Sequence, residues 1–178
     1  EANRDAVGEH ALMMLLTLLN KLMKADTEVR KGIWLREENR GIELQGKTVG
    51  IIGFGNMGSA FAKKLSGFDV NIIAYDPYKT IDTVEYPYIK QVSLVQLQKE
   101  ADIISLHVPL TTETKYMIND TFINLCKKEI YIINTARGKC VNTADLVKHL
   151  KTGKVKGTCL DVHEYETSSF EKLETLPE

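Results

Sequence analysis

The chain has 178 residues, with 23 Lys and Arg against 24 Asp and Glu and a formal net charge of -1. That balance lacks the basic field that a nucleic-acid backbone or an anionic membrane surface requires, so neither is expected as a partner. The length suffices for one domain with a full core and is marginal for two. Cys126, Cys140 and Cys159 are odd in number and lack Cys-x-x-Cys spacing. They predict buried thiols in a reducing, cytoplasmic compartment, with no disulfide framework and no metal site.

In chain order, Glu9 to Arg30 predicts one long helix, the body of a leading segment over residues 1–30. Its first half is apolar nearly all round, and a helix without a wet face must be buried on several sides. One small domain covers only one side. The rest is expected to meet another domain or a second subunit, as an interdomain and homodimer helix; a central core helix is the alternative. Ala11 to Leu19 is too short an apolar run to cross a bilayer. Lys31 to Gly46 is polar and glycine-punctuated, an irregular stretch with Trp34 as its expected packing anchor. The start at Glu1 without Met and the end soon after an apolar run point to part of a longer protein.

From Thr48 onward, apolar runs alternate with helical patterns. Strands are expected at Thr48–Gly53, Asn71–Tyr75, Ile103–His107, Ile130–Asn134 and Val155–Leu160, with a short one near Ile89–Val92. Several are continuous Ile/Val-rich runs, as in parallel strands buried on both faces. Helices are expected at Met57–Leu65, Ser93–Lys99, Asn119–Cys126 and Thr143–Lys151, with Ser93 and Asn142 as caps and Gly153 as a stop. The predicted fold is α/β, a doubly wound parallel sheet of Rossmann-like type, with its core over residues 48–166.

In such sheets ligands lie at the carboxyl ends of the strands. After the first strand comes TVGIIGFGNMG, in which Gly53, Gly55 and Gly58 are spaced G-x-G-x-x-G around Asn56 and Met57. The first glycine permits a tight turn and the second admits a pyrophosphate. The third lets the following helix pack on the strand with its N-terminal amides facing the anion. Glycines also mark ordinary turns, but here a strand precedes and a helix follows. The second strand ends at Asp76, where a carboxylate would accept from ribose hydroxyls and repel a 2′-phosphate, favouring NAD over NADP. Nearby Lys79 moderates that preference, and Asp76-Pro77 could also simply start a turn.

The third long strand leads into His107, Val108, Pro109 and, further on, Thr114, a loop expected to line the cofactor. His107 reads as a structural or lining residue in preference to a proton donor. Next come Thr135, Ala136 and Arg137 ahead of Gly138. A guanidinium there can present a planar fork for bidentate capture of a carboxylate, or it can be a surface arginine in a turn. After the last strand, Asp161, Glu164 and Glu166 cluster at the same end. One could serve a nicotinamide carboxamide and another could orient a catalytic imidazole; each could also be a solvated loop acid.

These motifs resemble the D-isomer-specific 2-hydroxyacid dehydrogenases, above all their phosphoglycerate dehydrogenase branch. The match runs through NRDAVGEHAL, the glycine motif, AYDPY, SLHVPLTTETKYMIN, INTARG and LDVHEYE. The resemblance implies hydride transfer between NAD and the hydroxyl-bearing carbon of a small 2-hydroxy acid. It makes Arg137 the carboxylate-binding, carbonyl-polarising residue and Glu166, in preference to Glu164, the partner of the catalytic histidine. Asp161 matches the contact to the nicotinamide amide, and Thr135 and Ala136 match backbone positions lining the nicotinamide. The catalytic His and the substrate domain are expected outside this chain, leaving one NAD-binding domain. His163 lies in the glutamate's own loop and is not promoted, and Asn3 falls near a hinge position. Glycerate, lactate or formate dehydrogenases, or an NAD-sensing corepressor module without catalysis, are the alternatives. Arg137 and Glu166 argue for chemistry, since a pure sensor needs neither.

Overall fold

The computed structural model describes residues 3–166. Six strands form a single parallel sheet: β1 (Thr48–Ile52), β2 (Asn71–Tyr75), β3 (Ile89–Gln91), β4 (Ile103–Leu106), β5 (Ile130–Asn134) and β6 (Val155–Leu160). Their spatial order is β3-β2-β1-β4-β5-β6. The chain therefore reverses direction across the sheet between β1 and β4, and this switch point opens a crevice at the carboxyl ends.

Side-chain alternation explains why the strands are apolar throughout. Ile51, Ile72, Ile103 and Ile133 enter one core with helices α1 (Arg4–Leu19) and α3 (Asn56–Leu65). Their neighbours Ile52, Ile73, Ile104 and Ile132 enter the other, with α4 (Leu94–Glu100), α5 (Asp120–Leu125) and α6 (Thr143–Lys151). Each fully buried isoleucine contributes about 1.5–3 kcal/mol, so both faces of the sheet supply stability. Cys126, Cys140 and Cys159 are free and buried. Burial pushes the thiols of Cys126 and Cys159 up to about 11.

The strand expectations hold to within a residue or two at their ends. β1 stops at Ile52 and β4 at Leu106, yet the ladder bonds continue: Gly53 N–H donates to Tyr75 O and His107 N–H to Ile52 O. Ser93 and Asn142 cap α4 and α6 as expected. Asn119 stands outside its helix as a third cap, its side chain accepting from Phe122 N–H at 3.0 Å. Gly153 follows α6 at φ +76°, the left-handed conformation suited to a helix stop.

Two expectations need correction. The leading helix is two helices, α1 and α2 (Leu22–Arg30). Lys21 takes a left-handed φ of 51°, and the Leu19 carbonyl, which a continuous helix would use itself, accepts the N–H of Ile42 at 3.0 Å. The returning segment thus takes over the hydrogen bond at the break. Trp34 is no packing anchor: it is 77% exposed, because its irregular segment runs over the surface instead of folding onto a core. Within this chain α1 buries one stripe, Gly8, Ala11, Leu15 and Leu19, whereas α2 buries no residue. None of the helices among the described residues is long and apolar enough to cross a membrane.

Candidate active site

The glycine loop leaves β1 and enters α3, and each glycine has a separate reason. Gly53 adopts φ +88°, and a Cβ on it would lie 2.6 Å from the His107 carbonyl oxygen. On Gly58 a Cβ would lie 2.1 Å from Gly53 O, so only glycine lets α3 sit this close to β1. Gly55 is different: a Cβ there would meet nothing within 4 Å. Its requirement is open space above the helix N-cap, where the leading N–H groups of Asn56, Met57 and Gly58 lack intrahelical acceptors. That geometry could hold an anion such as a pyrophosphate.

Asp76 does two things at the end of β2. One carboxylate oxygen accepts Phe54 N–H at 2.8 Å and the other accepts Tyr78 N–H at 2.9 Å. The turn-forming reading is therefore correct, and compatible with ribose binding, because each oxygen keeps a lone pair. The Lys79 ammonium lies 5.7 Å from the Phe54 ring centroid.

Across the crevice, Val108 leans on Gly53, and the His107 ring packs 5.3 Å from the Phe61 ring centroid. Its Nε2 pairs with Ser105 Oγ at 2.8 Å. Burial pushes the His107 pKa down to about 4, so the ring is neutral near pH 7 and suited to lining a site. Its buried Nδ1 has no hydrogen-bond partner among the described residues, and neither does the buried hydroxyl of Thr135. Pro109 and Thr114 close the loop on themselves, the threonine hydroxyl donating to Pro109 O at 2.6 Å. Thr114 thus has a local structural use.

At β5 the shape of the turn comes from Asn134, which sequence reasoning did not single out. Fully buried, it accepts Ala136 N–H through Oδ1 and donates through Nδ2 to Arg137 O, both at 3.0 Å. Ala136 is buried and Arg137 exposed. The Arg137 Nη1 donates to Ala136 O at 2.6 Å, which ties down one end of the guanidinium and leaves the Nε/Nη2 edge to meet a planar anion.

The β6 loop docks directly on that turn. A Cβ on Gly138 would fall 1.9 Å from His163 O, so the two loops touch backbone to backbone. Glu166 accepts His163 N–H at 3.1 Å and is otherwise exposed. Glu164 faces inward and accepts Thr143 N–H at the start of α6 at 2.9 Å. Burial raises its pKa, but hydrogen bonds from Thr143, Tyr116 and Tyr165 outweigh that and hold it below the usual range. The two glutamates divide the work, one bracing the loop and one facing outward. Asp161 is exposed at the end of β6 and pairs with His10 of α1 at 3.1 Å, a second partner the motifs did not reveal.

The structure therefore gathers the glycines, Asp76, His107, Val108, Thr135, Ala136, Arg137, Asp161 and Glu166 at one end of one sheet. Comparison with known families agrees: residues 12–178 match the model for the NAD binding domain of the D-isomer specific 2-hydroxyacid dehydrogenases. The chain belongs to that family. As a D-2-hydroxyacid dehydrogenase NAD-binding domain, it has NAD as its cofactor, and the open space above Gly55 fits the pyrophosphate.

Its relatives carry several activities in their names. A glyoxylate reductase of Thermofilum pendens is 43% identical over 168 residues, covering 91% of this chain and 49% of the relative. A D-3-phosphoglycerate dehydrogenase of Archaeoglobus fulgidus is 37% identical, covering 94% of this chain and 32% of the relative. Among solved structures, the NAD-dependent formate dehydrogenase of Staphylococcus aureus in complex with NAD superposes with a TM-score of 0.86 at 36% identity. That match covers 94% of this chain and 51% of the other. This dehydrogenase domain spans about half or less of the length of these relatives. The phosphoglycerate branch expected from the motifs is not favoured over the others.

Proposed function

We propose that the whole protein is an NAD-dependent oxidoreductase acting on the CH–OH group of a small D-2-hydroxy acid, with this chain as its single cofactor-binding domain. The observation that carries the reading is the contact of the Arg137 and Glu166 loops through Gly138, beside the cofactor crevice. Gly53, Gly55, Asn56, Met57 and Gly58 would hold the pyrophosphate and Asp76 the ribose. His107, Val108, Pro109 and Thr114 would wall the adenosine side, and Thr135, Ala136 and Asp161 the nicotinamide side. Bound there, NAD supplies the hydride acceptor.

The residues of this chain do the rest by position and charge. The Nε/Nη2 edge of Arg137 binds the substrate carboxylate, and its positive charge stabilises the negative charge that develops on the substrate oxygen. Glu166 orients an imidazole that exchanges the alcohol proton, raising its pKa and fixing its tautomer. None of the chain's four histidines fits that role. His107 is half-buried, its Nδ1 enclosed, and neutral, His149 is buried against Asp120 at 2.9 Å, and His10 holds Asp161. His163 accepts Tyr165 N–H within its own loop. The imidazole is therefore assigned to the part of the protein beyond this chain, together with the substrate domain.

A substrate panel with NAD(H) on the full-length protein tests the reading. D-3-phosphoglycerate, the first substrate to try, is measured beside glyoxylate, hydroxypyruvate, pyruvate and formate. Turnover of one or more supports it; tight NAD binding with no turnover would favour a non-catalytic NAD-sensing module. The exposed Met13, Leu22, Met23 and Val29 of α1 and α2 are the proposed homodimer face, and sedimentation as a clean monomer would contradict that assignment.

A further inference from the structure

We propose that His10 is a positioning residue for Asp161, and that α1 thereby sets the orientation of the carboxylate reading the nicotinamide amide. The inference rests on the role given to Asp161 above and adds the group that aims it.

A carboxylate only accepts, so the 3.1 Å contact between His10 Nε2 and Asp161 Oδ1 has the imidazole N–H as donor. It occupies one oxygen, and Oδ2 carries no hydrogen bond among the described residues. The Asp161 backbone is already fixed, its N–H donating to Asn134 O at 3.0 Å. Only the side-chain torsions remain open, and the Asp161 side chain is 47% exposed. A short exposed carboxylate with nothing to hold it samples several rotamers. The imidazole selects one.

His10 can do this because α1 lies in register along β6. Leu18 packs over Gly157, 3.0 Å from where a Cβ would stand. Met14 O accepts from the Cys159 thiol at 3.3 Å. His10 then meets Asp161. Helix positions 18, 14 and 10 thus meet positions 157, 159 and 161. Four helical residues rise about 6 Å and two strand residues about 6.6 Å, so the two repeats stay matched over this length. A different stripe of the same helix is fixed on α3. A Cβ on Gly8 would lie 3.1 Å from the Ala60 and Phe61 backbone, and Glu9 pairs with Lys64 at 2.8 Å. One rigid helix therefore touches both the helix that cradles the pyrophosphate and the acid that reads the nicotinamide.

The test measures the affinities of the full-length protein for NADH and for ADP-ribose, which lacks the nicotinamide. The variants are His10→Ala, His10→Gln and Asp161→Ala. Losing one positioning hydrogen bond should weaken NADH by roughly threefold to tenfold in His10→Ala, with ADP-ribose unchanged. His10→Gln, which keeps an N–H donor, should recover most of that loss, and His10→Ala should add nothing in an Asp161→Ala background. The proposal is overturned if His10→Ala weakens both ligands equally, or neither, while Asp161→Ala selectively weakens NADH. An Asp161→Ala variant without a selective NADH loss would instead overturn the role of Asp161, and this inference with it.

Discussion

The N–H of Phe54, in the glycine loop after β1, donates to the carboxylate of Asp76 at the end of β2 at 2.8 Å. One acid thus ties the glycine loop to the end of β2, the place where the proposed reading puts the ribose. Replacing it removes two functions at once. Asp76→Ala should weaken NAD by about tenfold or more and narrow the preference over NADP, because a ribose acceptor and a loop anchor are lost together. Asp76→Asn keeps an acceptor for Phe54 N–H and should retain more affinity than Asp76→Ala while discriminating less against NADP. Calorimetric titration with both cofactors checks this. Equal affinities of the wild type for NAD and NADP would contradict the role of Asp76.

Glu164 and Glu166 should separate cleanly. Glu164→Ala removes the acceptor for Thr143 N–H at the start of α6 and should cost about 1–2 kcal/mol of stability, read from the denaturant midpoint. Glu166→Gln should leave stability nearly unchanged and lower kcat of the full-length enzyme by about 10²–10⁴, with its pH profile displaced. The reverse pattern would exchange the two roles.

His107 gives a pH signature. Its folded pKa is depressed by burial to about 4 from 6.5, so below pH 6.5 the unfolded chain takes up a proton that the folded chain refuses. The neutral ring's contribution is fully present above pH 6.5 and is lost progressively as pH falls towards 4. The total loss is about 3 kcal/mol, of which about 2 kcal/mol is gone by pH 5. Urea unfolding at pH 7.5 and pH 5.0 should show that difference in the wild type, over and above the change in His107→Gln. Parallel pH dependences in the two proteins would mean the ring titrates normally when folded.

How far the sequence carried differs between the fold and the site. Ile/Val-rich runs such as Val49–Ile52 and Ile130–Ile133 mark doubly buried strands, and caps such as Ser93 and Asn142 mark helix starts, so the sheet was legible. The break at Lys21 was not, because it depends on Ile42 taking the Leu19 carbonyl, a pairing between segments with no local signal. Trp34 misled because an aromatic in a loop does not report what covers it. Within the site, glycines and charged residues showed themselves through spacing. Asn134 and His10 act on positions remote or hidden from any motif rule, and only the folded geometry brings His10 to Asp161. An Asn closing an apolar strand run, as Asn134 closes β5, is the one signal that sequence reasoning could have used.

The most direct test is steady-state kinetics of the full-length protein carrying Arg137→Lys, with its best 2-hydroxy or 2-oxo acid substrate. Lysine keeps the charge but not the planar fork, so kcat/KM should fall by about 10²–10³, with the Kd for NADH within about twofold of wild type and the D-enantiomer still preferred. An unchanged kcat/KM in Arg137→Lys would contradict the assignment of Arg137 to the substrate carboxylate, and with it the reading of this crevice as half of a hydroxyacid dehydrogenase active site.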